Sequence, residues 1–371
     1  MIKHSFHTVT GIEAAAILIS TIIGVGVLAL PRFAVEGANT GAPLVTILGI
    51  LMAFIGLWLI TRLGMRFPSQ SIIEYSERII GKWLARCGSV LIVLFFAVLT
   101  SLGAREFGEV VVTAVLPRTP VNVTTIVMLL LAAICTRTNM TTFAYAHLFY
   151  LPFLLGPALF ILAFTTKNAN FLNVQPLIGN EPSMMGMVMG ALTVCALFQG
   201  SFIMTFVIPA MRSPSRAMTS SFWALIISGG MYLVTVVATL AVFGSEEIKL
   251  LLWPTLELAK TTMMPGEVLE RLDAVFLALW VTAVFTTLYS TYSLTVRAIK
   301  DLFHLRDHSM LAFFILPFVF LIAMLPPNIV QLYRVIEIAG RVGMVLTVVY
   351  PLILLVVAKI RKQRDDIHAN A

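Results

Sequence analysis

The sequence predicts an all-α polytopic membrane protein of about ten transmembrane helices. Three observations carry that reading. Apolar residue types make up 59% of the 371 residues and charged ones only 12%, whereas a soluble domain carries about 25% charged residues. Apolar runs of about 20 residues recur from end to end, each long enough to cross a bilayer as a helix. The alternating pattern of a β-barrel is absent. Lipid offers the backbone no hydrogen-bond partner, so the crossings must be helical.

The spans read as 12–30, 41–61, 84–115, 121–137, 144–165, 185–208, 221–243, 273–296, 309–325 and 338–358. The first lacks a cleavage site and reads as a retained helix rather than a signal peptide. The third exceeds what a bilayer requires and should tilt or project. Its outer end carries Arg105, Glu106 and Glu109, and Arg105 and Glu109 stand one turn apart as a surface ion pair. The stretch Gly244–Leu272 is the longest loop and reads as a surface segment with a short helix. The ten spans divide into a first five-helix repeat over 12–165 and a second over 185–358, followed by a tail at 359–371. An odd number of spans per half forces opposite orientations, the layout of an inverted repeat.

The net charge is +7. Most of the basic residues fall on one side of the predicted spans, including Arg62, Arg66, Arg78, Lys82, Arg297, Lys300 and Lys359. Topology accounts for the charge, and nucleic acid is not expected as a partner. The same bias puts both termini in the cytoplasm. Cys87, Cys135 and Cys195 are scattered, with neither a CxxC motif nor a disulfide framework.

The first and sixth spans occupy corresponding positions, and both are interrupted. The first reads Ser20-Thr21-Ile22-Ile23-Gly24-Val25-Gly26-Val27-Leu28-Ala29-Leu30-Pro31. Two glycines one residue apart weaken a helix by about 1 kcal/mol each relative to alanine. An unwound stretch there exposes carbonyls on one side and N–H groups on the other, which suits a zwitterion. The sixth span carries Phe198-Gln199-Gly200-Ser201-Phe202. Gln199 is a polar side chain at bilayer depth, and Gly200 and Ser201 mark a second break. Paired breaks in matched halves point to a solute site near the midplane.

Other polar residues weigh less. The hydroxyl-rich stripe Thr282, Thr286, Thr287, Tyr289, Ser290, Thr291, Tyr292 and Ser293 either lines a cavity or back-bonds within its own helix. Glu13 reads as a helix cap. His147 reads as a membrane-interface residue. No HExxH, GxSxG, P-loop or metal-spaced His/Cys pattern occurs, so neither an enzyme nor a cofactor or metal is expected.

Four stretches resemble the spore germination permeases, the B subunits of germinant receptors, within the amino acid–polyamine–organocation superfamily. They are Ile22–Arg32, Phe67–Glu77 with Gly81-Lys82, Phe198–Arg212, and Glu270-Arg271-Leu272-Asp273 with Trp280. The resemblance implies a LeuT-like 5+5 fold in the spore inner membrane, with receptor A and C subunits as partners. It implies a sensor of a small nutrient germinant, an amino acid, that helps trigger germination. A secondary amino acid transporter coupled to a cation is the alternative. It also implies a site at Thr21, Gly24, Gly26, Phe198, Gln199, Gly200 and Ser201, with Thr287 added from the eighth span. In one respect the sequence departs from the pattern. Phe202 stands where relatives often carry an acid, so no buried charge is expected from the sixth span, and a sensor is favoured over a pump.

Overall fold

The computed structural model describes residues 8–165, 169–179, 183–261 and 272–363. They form an all-α membrane protein whose only β feature among the described residues is an isolated bridge between Val9 and Met211.

The chain opens with α1 (Gly11–Ile22). Thr10 and Glu13 close a capping box at its start: the Thr10 N–H donates to Glu13 at 2.7 Å and the Glu13 N–H to the Thr10 hydroxyl at 3.3 Å. Glu13 is thus spent on the orphan N–H groups of the first turn, as expected. The helix stops at Ile23, makes a 3-10 turn at Val25–Val27 and resumes as α2 (Leu30–Ala38). Pro31 sits in the first turn of α2, where its missing N–H costs nothing. The interruption falls where the glycine pair predicts it. The second segment runs on past the expected end at Leu30.

Next come α3 (Ala42–Arg66), α4 (Ile72–Ile80), α5 (Lys82–Ala114), α6 (Val121–Thr136) and α7 (Met140–Thr165). The Phe67–Glu77 motif becomes a turn and the start of α4, capped by the Ser71 N–H donating to Glu74 at 3.0 Å. α8 (Met184–Ala196) ends two residues before a 3-10 stretch, Gln199–Ile203. The short α9 (Met204–Val207) and a turn at Ile208–Ala210 complete that segment. The two halves of this sixth segment are bent by 42°.

α10 (Ala217–Leu250) continues well beyond the predicted span and kinks at Gly244. A φ of 71° there is a conformation that glycine adopts without steric cost. α11 (Pro254–Thr261) is the helix expected in the longest loop, but Thr255, Leu256, Leu258 and Ala259 are buried, so it packs inward rather than lying on the surface. Glu270 and Arg271 lie outside the described residues. α12 (Leu272–Leu302), α13 (Ser309–Phe314), α14 (Leu316–Ala323), α15 (Ile329–Met344) and α16 (Tyr350–Ile360) complete the chain, with a π-helical turn at Val345–Val349 before Pro351.

By length and composition, five stretches among the described residues can cross a membrane: Leu30–Arg66, Lys82–Ala114, Pro214–Leu250, Phe276–Leu302 and Ile329–Ile360. The bent pair Met184–Ala196 and Gln199–Ala210 makes a sixth. Exposed Ile47, Leu51, Ile55 and Trp58 recur at helical spacing along α3, an apolar ridge suited to lipid. The opposite face of the bundle packs inward. α1 lies at the centre against α7, α10 and α12, α5 lies along α12, and α8 packs on α2 and α3. Centring the broken helix brings its loose backbone within reach of side chains from several neighbours.

Candidate functional site

The two breaks cross. A Cβ placed on Gly200 would stand 2.8 Å from the Thr21 methyl, and one on Gly26 would stand 2.7 Å from Leu197. Only hydrogen at these positions lets the unwound segments approach so closely.

The last carbonyls of α1 have no intrahelical partner, and the sequence reading leaves them open to a ligand. The structure corrects this. Thr286 donates to the Ser20 carbonyl at 2.8 Å, Thr287 to that of Thr21 at 3.0 Å and Tyr232 to that of Ile22 at 2.6 Å. Beyond the break, Thr255 donates to Val27 at 2.8 Å. Three helices therefore cap the unwound backbone with hydroxyls. The stripe on α12 serves this purpose at Thr286 and Thr287, while Thr282 back-bonds to Leu279 at 2.6 Å. Tyr232→Phe should leave the Ile22 carbonyl buried without a donor and cost about 1–3 kcal/mol. Thermal unfolding of the purified variant against wild type checks this.

A cavity of about 100 Å³ opens where the breaks meet. A single water needs only about 10–15 Å³ measured this way, so a small solute fits. The breaks contribute Thr21, Ile22, Val25, Gly26, Leu197, Gln199 and Gly200; α5 contributes Leu102, Gly103 and Glu106; α12 contributes Thr287, Leu288 and Thr291; and α15 contributes Ile336, Glu337 and Gly340. Of the eight residues singled out from sequence, Thr21, Gly26, Gln199, Gly200 and Thr287 meet on this wall. Gly24 instead faces α12, Phe198 packs edge-on against Tyr232 with centroids 5.2 Å apart, and Ser201 lines a separate cavity of about 20 Å³ beside Met344 and Thr347. Gln199 donates from Nε2 to the Gly340 carbonyl at 2.6 Å, and its Oε1 is buried without a partner.

Two residues carry more than sequence reasoning assigned them. Glu106 is buried and supplies the cavity with an acid, from the third predicted span rather than the sixth. The spacing of Arg105 and Glu109 holds a signal for this. Those two pair at 2.8 Å, largely buried rather than at the surface, and Glu106 stands about 100° around the helix from Arg105. Glu106 accepts from the Tyr333 hydroxyl at 2.9 Å, which itself accepts from the Trp253 indole at 2.7 Å. The Trp253–Thr255 segment thereby reaches the cavity acid through Tyr333 and bonds the broken helix directly.

His147 is the second. Its interface reading is wrong: the ring is fully buried behind α1. Nδ1 lies 2.5 Å from the Ser20 hydroxyl and Nε2 3.1 Å from that of Ser290, which stands 2.6 Å from the Thr21 hydroxyl. The ring stacks on Tyr289 at 5.6 Å, with an interplanar angle of 8°. No motif marks the residue, because its partners come from α1 and α12.

A second cavity of about 110 Å³ shares Phe33, Thr193 and Glu337 with the first and adds Glu36 and Arg341. Glu36 pairs with Arg32 at 2.8 Å, and Glu337 pairs with Arg341. This forms a vestibule lined by both signs of charge.

These features define a polytopic helical membrane protein with a solute-sized cavity between two broken helices. The chain belongs to the spore permease family, whose model, described as spore germination protein, matches residues 8–332. Spore germination protein YndE of Bacillus subtilis (strain 168) is 23% identical over 360 residues, covering 96% of this chain and 98% of that protein. Spore germination protein GerLB of Bacillus cereus is 24% identical over 347 residues, 93% of this chain and 92% of that one. Spore germination protein B2 of Bacillus subtilis (strain 168) is 24% identical over 309 residues, 82% of each.

Proposed function

We propose that this protein is the membrane subunit of a spore germinant receptor, and that it binds a small nutrient germinant, an amino acid, in the cavity between the breaks. The observation that carries this is the cavity itself: Thr21, Gly26, Gln199 and Gly200 from the two broken segments meet around a solute-sized space, in a chain of the germination family. Ligand would favour one of two packings of the broken helices against α5, α12 and α15, and the shift would pass to partner subunits. Its size is set by the difference in affinity for the two states.

In this reading the chain crosses the spore inner membrane ten times. The shorter apolar helices Gly11–Ile22, Val121–Thr136 and Ser309–Ala323 then count as crossings, or as parts of them, beside the long ones. The arrangement is a LeuT-like pair of inverted five-helix repeats with both termini cytoplasmic. Receptor A and C subunits are the partners. Disrupting the gene in a sporulating host is expected to abolish germination in response to one or more amino acids. Unchanged responses to the whole amino acid panel, in a strain without other receptors of this family, would sink the reading. Gln199→Leu should reproduce the loss while the protein still accumulates in the membrane, as an immunoblot of spore membranes can show.

A further inference from the structure

The polar side chains on the cavity wall are almost all acceptors. Thr287 spends its proton on the Thr21 carbonyl, Thr193 on Met189 at 3.0 Å and Thr291 on Leu288 at 3.4 Å. Gln199 spends one amide hydrogen on Gly340, and its free oxygen is an acceptor; it alone retains a second N–H.

Thr21 is decided by a proton count. Five contacts of 3.1 Å or less join Ser20, Thr21, Ser290 and His147 to one another and to the Ala16 and Ile17 carbonyls. Three hydroxyls and a neutral imidazole hold four protons between them. One contact is always short. Thr21 therefore keeps its hydrogen on Ile17 or on Ser290, both at 2.6 Å, because turning it to the cavity would forfeit a second contact. Thr21 has no hydrogen free for the cavity.

Charge points the same way. Among the described residues, no Lys, Arg or His lines this cavity. Glu337 is paired with Arg341. Glu106 has a phenol for a partner and, among the described residues, no cation paired with it.

We infer that the cavity selects its ligand by an ammonium group, with Glu106 as counter-charge and Thr21 and Thr287 as acceptors, and that a carboxylate on the ligand is tolerated rather than recognised there. An ammonium brings three donors and no acceptor, the complement of this wall. A carboxylate brings only acceptors, and Gln199 is the one polar side chain of this wall with a hydrogen left for it. His147 acts through Ser290 as a positioning residue for Thr21. The inference rests on the reading of this cavity as the germinant site, and it names primary amines as the ligand class.

The test uses the full chain in lipid nanodiscs and three families of probe: alanine, valine and leucine, their decarboxylated amines, and their deaminated acids. For the amino acid that binds best, the amine should bind within about ten-fold and the acid at least about a hundred-fold more weakly. Glu106→Gln should weaken amino acid and amine alike by about ten-fold or more, and Glu106→Asp should recover part of that loss. An acid that binds as well as the amine, an amine that fails where its amino acid binds, or an unchanged Glu106→Gln overturns the inference and leaves the germinant-site reading standing. No saturable binding by any probe overturns both. The wild-type probe series stands even where a Glu106 variant does not fold.

Discussion

Gly24→Ala is expected to abolish ligand binding while the protein still inserts and folds. A Cβ at this position would lie 1.8 Å from the Thr287 hydroxyl, 2.8 Å from the Thr287 Cβ and 3.1 Å from the Ala283 carbonyl. Rotating Thr287 away would forfeit its bond to the Thr21 carbonyl, and even then its Cβ would stay too close. The break must therefore move off α12, and Thr21 and Gly26 move with it. Overpacking of this kind costs about 1–3 kcal/mol, which a bundle of this size can absorb. The cavity cannot, because its wall is the displaced backbone. Binding to the purified variant and its melting temperature separate the two effects. Wild-type affinity in Gly24→Ala would show that the crossing geometry does not make the site. Thr287→Ala in the same chain removes the nearest clashing atom and should restore part of the lost thermal stability.

His147→Leu should have the second largest effect, on stability first and on binding through it. The substitution removes the ring that joins the Ser20 and Ser290 hydroxyls, which keep only their bonds to the Ala16 carbonyl and the Thr21 hydroxyl. Each lost hydrogen bond costs about 0.5–1.5 kcal/mol and the missing ring leaves unfilled volume, so a drop in melting temperature is expected. Thr21 keeps its bonds to Ile17 and Ser290, but Ser290 loses its own anchor on the ring, and ligand affinity should fall by about ten-fold. His147→Gln keeps a donor and an acceptor on the side chain and should recover part of both losses. If His147→Leu melts with the wild type, the ring carries no structural load behind α1.

Much of the site could be read from the chain because its signals are local. Two glycines in one apolar run weaken a helix wherever that run lies, so the break after Ile22 follows from the sequence. Gln199 in an apolar span must find a partner or a cavity, and it has a cavity on one side and the Gly340 carbonyl on the other. The failures share the opposite property. The Thr21 and Ser290 hydroxyls meet across 269 residues of sequence, and Ser20 and His147 across 127. Nothing within a turn of His147 indicates either contact. Phe198 and Ser201 flank Gln199 in the motif, yet the 3-10 geometry of Gln199–Ile203 sends them to other neighbours.

By itself the sequence determined the membrane class, the helical architecture and the places where two helices break. Composition and periodicity act within a span, and the bilayer enforces them on each span alone. Only the tertiary structure decided which atoms those breaks present to a solute. Hydroxyls from α10, α11 and α12 cover the carbonyls that the break frees, and α5 swings Glu106 into the cavity that the sixth segment leaves without an acid. The reason is physical. An unsatisfied carbonyl or a buried acid takes the nearest partner in space, and the packing of helices, not their order, sets what is near.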